Sequence, residues 1–521
     1  MPEYLAPGVY VEEVPSGNNP IAGVGTSTAG FVGAAERGPL EPKFISNLWE
    51  FKQWYGDYIP KQSYLAYAVE GFFANGGQRC FVCRVVGKDS KFSAASVGKL
   101  KVIASGSGSW GDSVSIKLEQ ATQAIRALEE EPQPVPPKPQ VDWVKATIEY
   151  KDGEEVKTSE VYDDLTHDPF ASNNIQKVLN TNSKLIRVWW EDDAPEKLPA
   201  DGAPVNLAGG ADVDLTAADY AGTSFTEISG MFAEAPPADV LAPGTIQGLA
   251  ALELIDEVAI VVAPDQARET IGPDITNSVI SHCETAMKDR FAVLSVAASQ
   301  NDVSKVKLPS DTSYAAYYYP WIKVTDPATN GIRTVPAVGH IAGIYARSDI
   351  ERGVHKAPAN EVVRNAKDLE FPVTKAMQDI LNPRGVNCIR DFRSDGRGIR
   401  AWGARTMSST PEWKYINVRR LFLFLEESID EATQWVVFEP NGPGTWADVE
   451  RAVGNFLRTQ WTNGALMGAT PDEAFFVACN RTTMTQDDID NGRLICVIGV
   501  APIKPAEFVI FRISQKTADA A

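Results

Sequence analysis

Two hydrophobic periods take turns through the middle of this chain. Residues 246–257 carry a helical pattern, and Val258-Ala259-Ile260-Val261-Val262-Ala263 follows as an unbroken apolar run ending at Pro264. A second round places a helix around 277–289 and then Phe291-Ala292-Val293-Leu294-Ser295-Val296. Apolar runs without polar alternation suit strands buried on both faces, as in a parallel sheet. The alternation of helix and strand therefore predicts an α/β core. The same texture appears earlier, from Ile21 to about Gly87. Gly30–Ala35 reads as a buried strand, and Leu65, Ala68, Val69 and Phe72 form a helical stripe within 64–73. Asn75-Gly76-Gly77 stops that helix with residues that tolerate positive φ, and Phe81–Val86 reads as a further strand.

Between about 97 and 240 the pattern changes. Strand-like pieces Val114–Leu118, Ala146–Tyr150 and Leu185–Trp190 are separated by polar loops. Pro132, Pro134, Pro136, Pro137 and Pro139 exclude helix and central strand and predict a stiff, extended spacer. This stretch is expected to be a β-rich peripheral insertion. Toward the C-terminus, Thr445 is placed to cap a helix whose third residue is Asp448, with Val449, Val453, Phe456, Leu457 and Trp461 on one face. Asn491-Gly492 signals a turn before a strand at Leu494–Ile498. Glu507–Ile513 reads as a strand apolar on both faces, followed by a polar tail. At the other end, Gly8–Val14 is short, extended and bounded by Pro7 and Pro15, with a loop at 16–20.

The expected fold class is thus mixed α+β, several domains around an α/β core built from N-terminal and C-terminal parts. The partition is an arm at 1–20, the first part of the core at 21–96, the insertion at 97–240 and a central α/β domain at 241–404. A C-terminal domain follows at 405–504, then a strand and tail at 505–521. At ~150 residues per domain, 521 residues call for three or four domains.

Charge and composition narrow the function. The chain is 44% hydrophobic with a net charge of −19. That balance argues against direct nucleic-acid binding, where a basic surface supplies much of the affinity. No apolar run reaches the ~18–20 residues of a membrane span. Met1-Pro2-Glu3-Tyr4 lacks the basic and apolar blocks of a signal peptide. The expectation is a chain made and folded in the cytoplasm, with no membrane insertion of its own.

Candidate chemistry is sparse. Cys80-Phe81-Val82-Cys83 has CxxC spacing, but positions three apart on a strand face opposite ways and no second CxxC completes a zinc site. Gly106-Ser107-Gly108-Ser109-Trp110-Gly111 matches GxGxxG, yet a strand-like segment follows where a dinucleotide site needs a helix. Asp487-Asp488-Ile489-Asp490-Asn491-Gly492 resembles a calcium loop, but the glycine is one place late and the twelfth position is Val497. No catalytic, cofactor-binding or metal-ligating residue is assigned.

Several segments resemble the contractile tail sheath family of phages and related extracellular injection systems. In the C-terminal part they are Trp446, then Phe456–Leu466, then Gly468–Val477, then Thr483–Leu494 and Pro505–Phe511. Pro7–Glu13 is similar to the family's opening arm, Asn75–Val85 to its first core strand, and Gly339–Gly343 with Arg352–Asn360 to a middle stretch. The resemblance implies hexameric rings of this chain stacked helically around an inner tube of another protein, with baseplate and terminator or cap proteins as further partners. It also implies a virion-borne, released or retained particle that contracts from a metastable extended state.

The terminal segments make physical sense of such a polymer. A short strand on an arm adds to a neighbour's open sheet edge through backbone hydrogen bonds. Val9, Tyr10, Val11 and Val14 are expected to join Phe508, Val509, Ile510, Phe511 and Ile513 of neighbouring subunits in one intermolecular sheet. The head-to-tail link this creates generates rings or helical polymers. A non-contractile shell or adhesin, or a cytosolic α/β hydrolase, is the competing class.

Overall fold

The structure is a computed structural model, and it describes residues 20–59, 62–122, 143–190, 200, 202–222, 224–225 and 245–512. Val9, Tyr10, Val11, Val14, Ile513 and the 132–139 spacer lie outside the described residues. The chain divides into two compact units, Gly25–Arg420 and the pair of segments Met1–Val24 and Leu421–Ala521.

Gly25–Arg420 is organised on a nine-stranded mixed sheet. Six strands run parallel in the order 386–392, 315–319, 291–295, 260–262, 29–33 and 80–84. Antiparallel strands close both sides, Lys43–Ile45 against Cys80–Arg84 and Gly398–Ala401 against Val386–Phe392. Ala29–Gly33, Ile260–Val262 and Phe291–Ser295 are buried along their whole length, as their unbroken apolar runs require. Ala29 is bracketed by Ile260 on one side and Cys80 on the other, which fixes the register at the centre.

Helices cover the sheet where their apolar stripes direct. Leu65–Ala74 forms as the stripe predicts and stops at Asn75, whose buried amide donates to Gly71 O at 2.8 Å and to Arg364 O at 3.1 Å. Gly76 has φ +103°. Helix Val338–Arg352 crosses it at backbone contact. A Cβ on Gly339 would lie 2.1 Å from Ala68 O, and one on Gly343 2.4 Å from Phe72 O. His340 is seated on Gly71, where a Cβ would come within 2.3 Å of the imidazole.

Two expectations are corrected in this unit. The 246–257 helix is shortened at both ends to Gly248–Leu252, and at its start Gln247 lies outside it as a strand surrogate. Its side chain accepts from Val86 N and donates to Val86 O, both at 2.9 Å, so tertiary pairing overrides helical period there. The helix expected around 277–289 starts earlier, at Gly272, and gives way to a π turn over His282–Met287 that ends at Lys288 with φ +66°.

The insertion has a core of its own, including Val102, Ile116, Ile148, Leu165, Leu179 and Val188. It holds an antiparallel four-stranded sheet and a three-stranded one, and the expected pieces fall in strands 114–120, 144–152 and 186–190. Arg84, at the end of a central strand, ties this region to the core by donating to Gly38 O at 3.0 Å and Ser107 O at 2.9 Å. Burial lowers its pKa to about 10.

A second polar link closes the far end of the unit. Arg420 donates to both oxygens of Asp349, at 2.9 and 2.7 Å, and to Thr26 O at 2.9 Å. Both side chains are almost fully buried. Neither Arg84 nor the Arg420–Asp349 pair has a local sequence signal, since their partners lie tens to hundreds of residues away.

Candidate functional site

The C-terminal unit is built from fewer parts. Helix Pro443–Thr462 buries Val449, Val453, Phe456 and Leu457 as its spacing predicts, but Trp461 is only partly buried, and Trp446 joins the buried face instead. Its start differs from the expectation at Thr445. Gly442 is the N-cap and Pro443 the first helical residue, a position where proline costs no hydrogen bond. The Thr445 hydroxyl donates instead to Pro440 O at 2.7 Å.

Beside this helix stand two antiparallel strands, Phe475–Ala478 and Val497–Val500, in register from Phe475↔Val500 to Ala478↔Val497. The second begins three residues later than expected: the turn is at 491–492, and 493–496 lie outside the ladder. Arg493 there donates to Asp488 at 2.9 Å and to Asp487 at 2.8 Å. Among the described residues each strand has only the other as its ladder partner. Just past the second, Pro502 bridges Leu466, with Met467 N donating to Ala501 O at 2.8 Å and Ile503 N to Ala465 O at 3.1 Å, so the edge of Phe475–Ala478 is the open one. One face exposes Phe476 and Val497. Gly499 is needed opposite Phe476, whose ring would lie 2.1 Å from a Cβ there.

The following segment is apolar and uncovered. Phe508, Val509, Ile510 and Phe511 are 69, 68, 78 and 83% exposed, and among the described residues they pair in no ladder. Four consecutive large apolar side chains in water are costly, and such a patch marks an interaction surface. These are four of the nine residues that sequence reasoning assigned to an intermolecular sheet.

The chemical motifs resolve into structure. Cys80 and Cys83 lie on one strand, Cys80 donating to Ile45 O at 3.7 Å and Cys83 packed in an apolar cluster. Burial pushes both thiols up. The glycines at 106–111 serve close packing, with a Cβ on Gly106 falling 2.0 Å from Gly38 O. A short 3-10 turn and strand Val114–Gln120 follow them, so no helix N-terminus faces the loop. Gln486–Asp490 is a helix with a Thr485–Asp488 capping box. Hydrogen bonds from the Thr485 side chain and backbone, then from Arg493, pull the Asp488 carboxyl down to about 2.

Where an α/β enzyme would place an acid, beyond the end of strand 260–262, stands buried Asp265. Its carboxylate accepts from the Ser63 hydroxyl at 2.8 Å, the Tyr220 hydroxyl at 2.8 Å and the Tyr64 N–H at 3.0 Å. Those bonds use the carboxylate as a structural knot. Among the described residues no group of three His, Cys, Asp or Glu is arranged to hold a metal ion, and no helix is long and apolar enough to cross a membrane.

Residues 238–407 match the family model of the phage tail sheath protein central domain, and 408–516 that of the phage tail sheath C-terminal domain. Together they take in more than half of the chain. The tail sheath protein of Burkholderia phage BcepMu is 31% identical over 159 residues, 29% of this chain and 33% of that one. A putative prophage major tail sheath protein of Pseudomonas aeruginosa is 26% identical over 200 residues, 37% and 49% of the two chains. The matches thus span about a third to a half of these curated relatives. Similar folds include the helical sheath of the anti-feeding prophage in its contracted state, with TM-score 0.59 and 23% identity over 98% of this chain and all of that one. The contracted sheath of an extracellular contractile injection system, PVC, gives TM-score 0.58 and 21% identity over 99% of both.

What these share is one class, the sheath protein of a phage tail or tail-like particle. The chain belongs to the contractile tail sheath family.

Proposed function

We propose that this chain is the structural subunit of a contractile sheath and carries no catalytic site. It polymerises as stacked hexameric rings around an inner tube made of another protein. Contraction from a metastable extended state drives that tube through a target envelope, and baseplate and terminator or cap proteins complete the particle. The observation that carries the reading is the uncovered Phe508–Phe511 segment downstream of a two-stranded sheet with an open edge, in a chain of this family.

Strand addition is the joint. Val9, Tyr10, Val11 and Val14 of one subunit and Phe508–Ile513 of another complete a neighbour's sheet, so that each chain covers what another exposes. The link persists while the rigid units repack, which lets a kinetically trapped polymer shorten without falling apart.

The test is negative-stain microscopy of the assembled particle before and after mild acid or denaturant. Striated tubes that become shorter and wider support the reading. Tubes of one fixed length and width point to a non-contractile shell. Deleting Met1–Asn19 should leave soluble monomers, and tubes of normal length from that variant overturn the arm's role.

A further inference from the structure

The last two cysteines of the chain stand opposite one another. The register of the C-terminal strands ends at Ala478↔Val497, and one further step sets Cys479 across from Cys496. Ala501 N donates to Ala474 O, which makes 474/501 a bonded pair of this ladder. Bonded and non-bonded pairs alternate between antiparallel strands, so 475/500, 477/498 and 479/496 are non-bonded. Such pairs hold their Cα atoms about 4.5 Å apart with side chains close together, inside the span of a disulfide. The two thiols are hydrogen-bonded to each other, yet both are free. Cys479 is buried and Cys496 is partly exposed, so one sulfur is sheltered and the other can be reached. The remaining four cysteines are all buried.

We propose that Cys479 and Cys496 are a latent disulfide site, closed by exchange with a small-molecule disulfide such as oxidised glutathione. Cys496, as thiolate, attacks one sulfur of the small disulfide, forming a mixed disulfide and releasing one thiolate. Cys479 then gives up its proton and attacks the Cys496 sulfur, expelling the second small thiolate. The two released thiolates take up the two protons. Two protein thiols are thereby oxidised to one disulfide, and one small disulfide is reduced to two thiols. Burial, reinforced by Cys479 and by Glu450 on helix Pro443–Thr462, pushes the Cys496 thiol up to about 12, and burial raises Cys479 as well. Thiolate is therefore scarce and closure is slow, on the scale of minutes to hours. In a reducing compartment the pair stays open, and in oxidising surroundings it closes and fastens the two strands beside the 480–495 excursion. This chemistry is independent of the sheath reading, because it requires only the two strands of one chain.

The experiment incubates the folded full chain with oxidised glutathione, blocks remaining thiols in denaturant with iodoacetamide, and reads intact mass and peptide maps. The expected result is loss of the mass of two hydrogens and a cross-link joining the peptides of Cys479 and Cys496. Cys80, Cys83, Cys283 and Cys388 should be recovered alkylated. Cys479→Ser should instead retain one glutathione on Cys496. Failure of that adduct to form, a wild-type adduct that never closes, or full alkylation of both thiols after a day overturns the proposal.

Discussion

The sheet of the Gly25–Arg420 unit and the sheet of the C-terminal unit treat their edges and faces differently. The first has nine strands, buried centre strands, and antiparallel closures on both sides. Its awkward ends are bound individually, Val86 by Gln247, the Ser107 loop by Arg84, and Thr26 by Arg420. The second has two strands, an exposed apolar face and four uncovered apolar residues downstream. One sheet satisfies its own backbone and core, whereas the other, on the proposed assembly, is completed by a second chain. Stability and assembly should therefore respond to different substitutions.

Replacing Phe508, Val509, Ile510 and Phe511 together by Ser is the sharpest way to separate them. Assembly should be lost outright by electron microscopy. The urea midpoint of the monomer should move by no more than about 0.5 kcal/mol, since these side chains are already in water. Arg420→Met should do the reverse in kind, costing the Gly25–Arg420 unit about 3–5 kcal/mol by stranding a buried Asp349. Adding Asp349→Leu should recover most of that loss in the same urea titration.

His340 gives the next largest effect, through pH. Burial lowers its pKa from 6.5 to about 4. As pH falls below 6.5 the unfolded chain gains a proton that the folded chain refuses until about 4, so stability declines across that window. The shift corresponds to on the order of 3 kcal/mol. His340→Leu should flatten part of the decline between pH 7 and 4, with the rest traceable to His282, also lowered to about 4 by burial and then by Arg290. Thr485→Ala is the smallest, removing one cap from the C-terminal unit for about 1 kcal/mol. Its partner Asp488, held near 2, stabilises the folded state above the ordinary carboxylate range and stops doing so as pH falls toward 2. The variant should lose part of that acid-side slope.

Much of the self-contained region is legible in the sequence, because strands such as 260–262 and 291–295 announce burial on both faces by unbroken apolar runs. The Leu65–Ala74 helix and its Asn75 stop are equally readable, since both signals are local. Legibility fails where a distant partner decides. Gln247 is held outside the helix by pairing with Val86, and the π turn at His282–Met287 leaves no mark in the apolar period. Further along, composition announces that Phe508–Phe511 is strand-like, but among the described residues no strand pairs with it. The Cys479/Cys496 apposition went unread for a related reason, as it appears only once the register of the two strands is known.

The uncovered 508–511 segment also limits how much of this chain can be stockpiled. On the proposed assembly, side chains that serve as glue in the finished particle are, in a surplus subunit, a solubility limit. A net charge of −19 slows like-with-like encounters in that pool without removing the attraction at contact. On the same proposal, the ratio in which subunits and the inner tube are produced becomes a property written partly into those four residues.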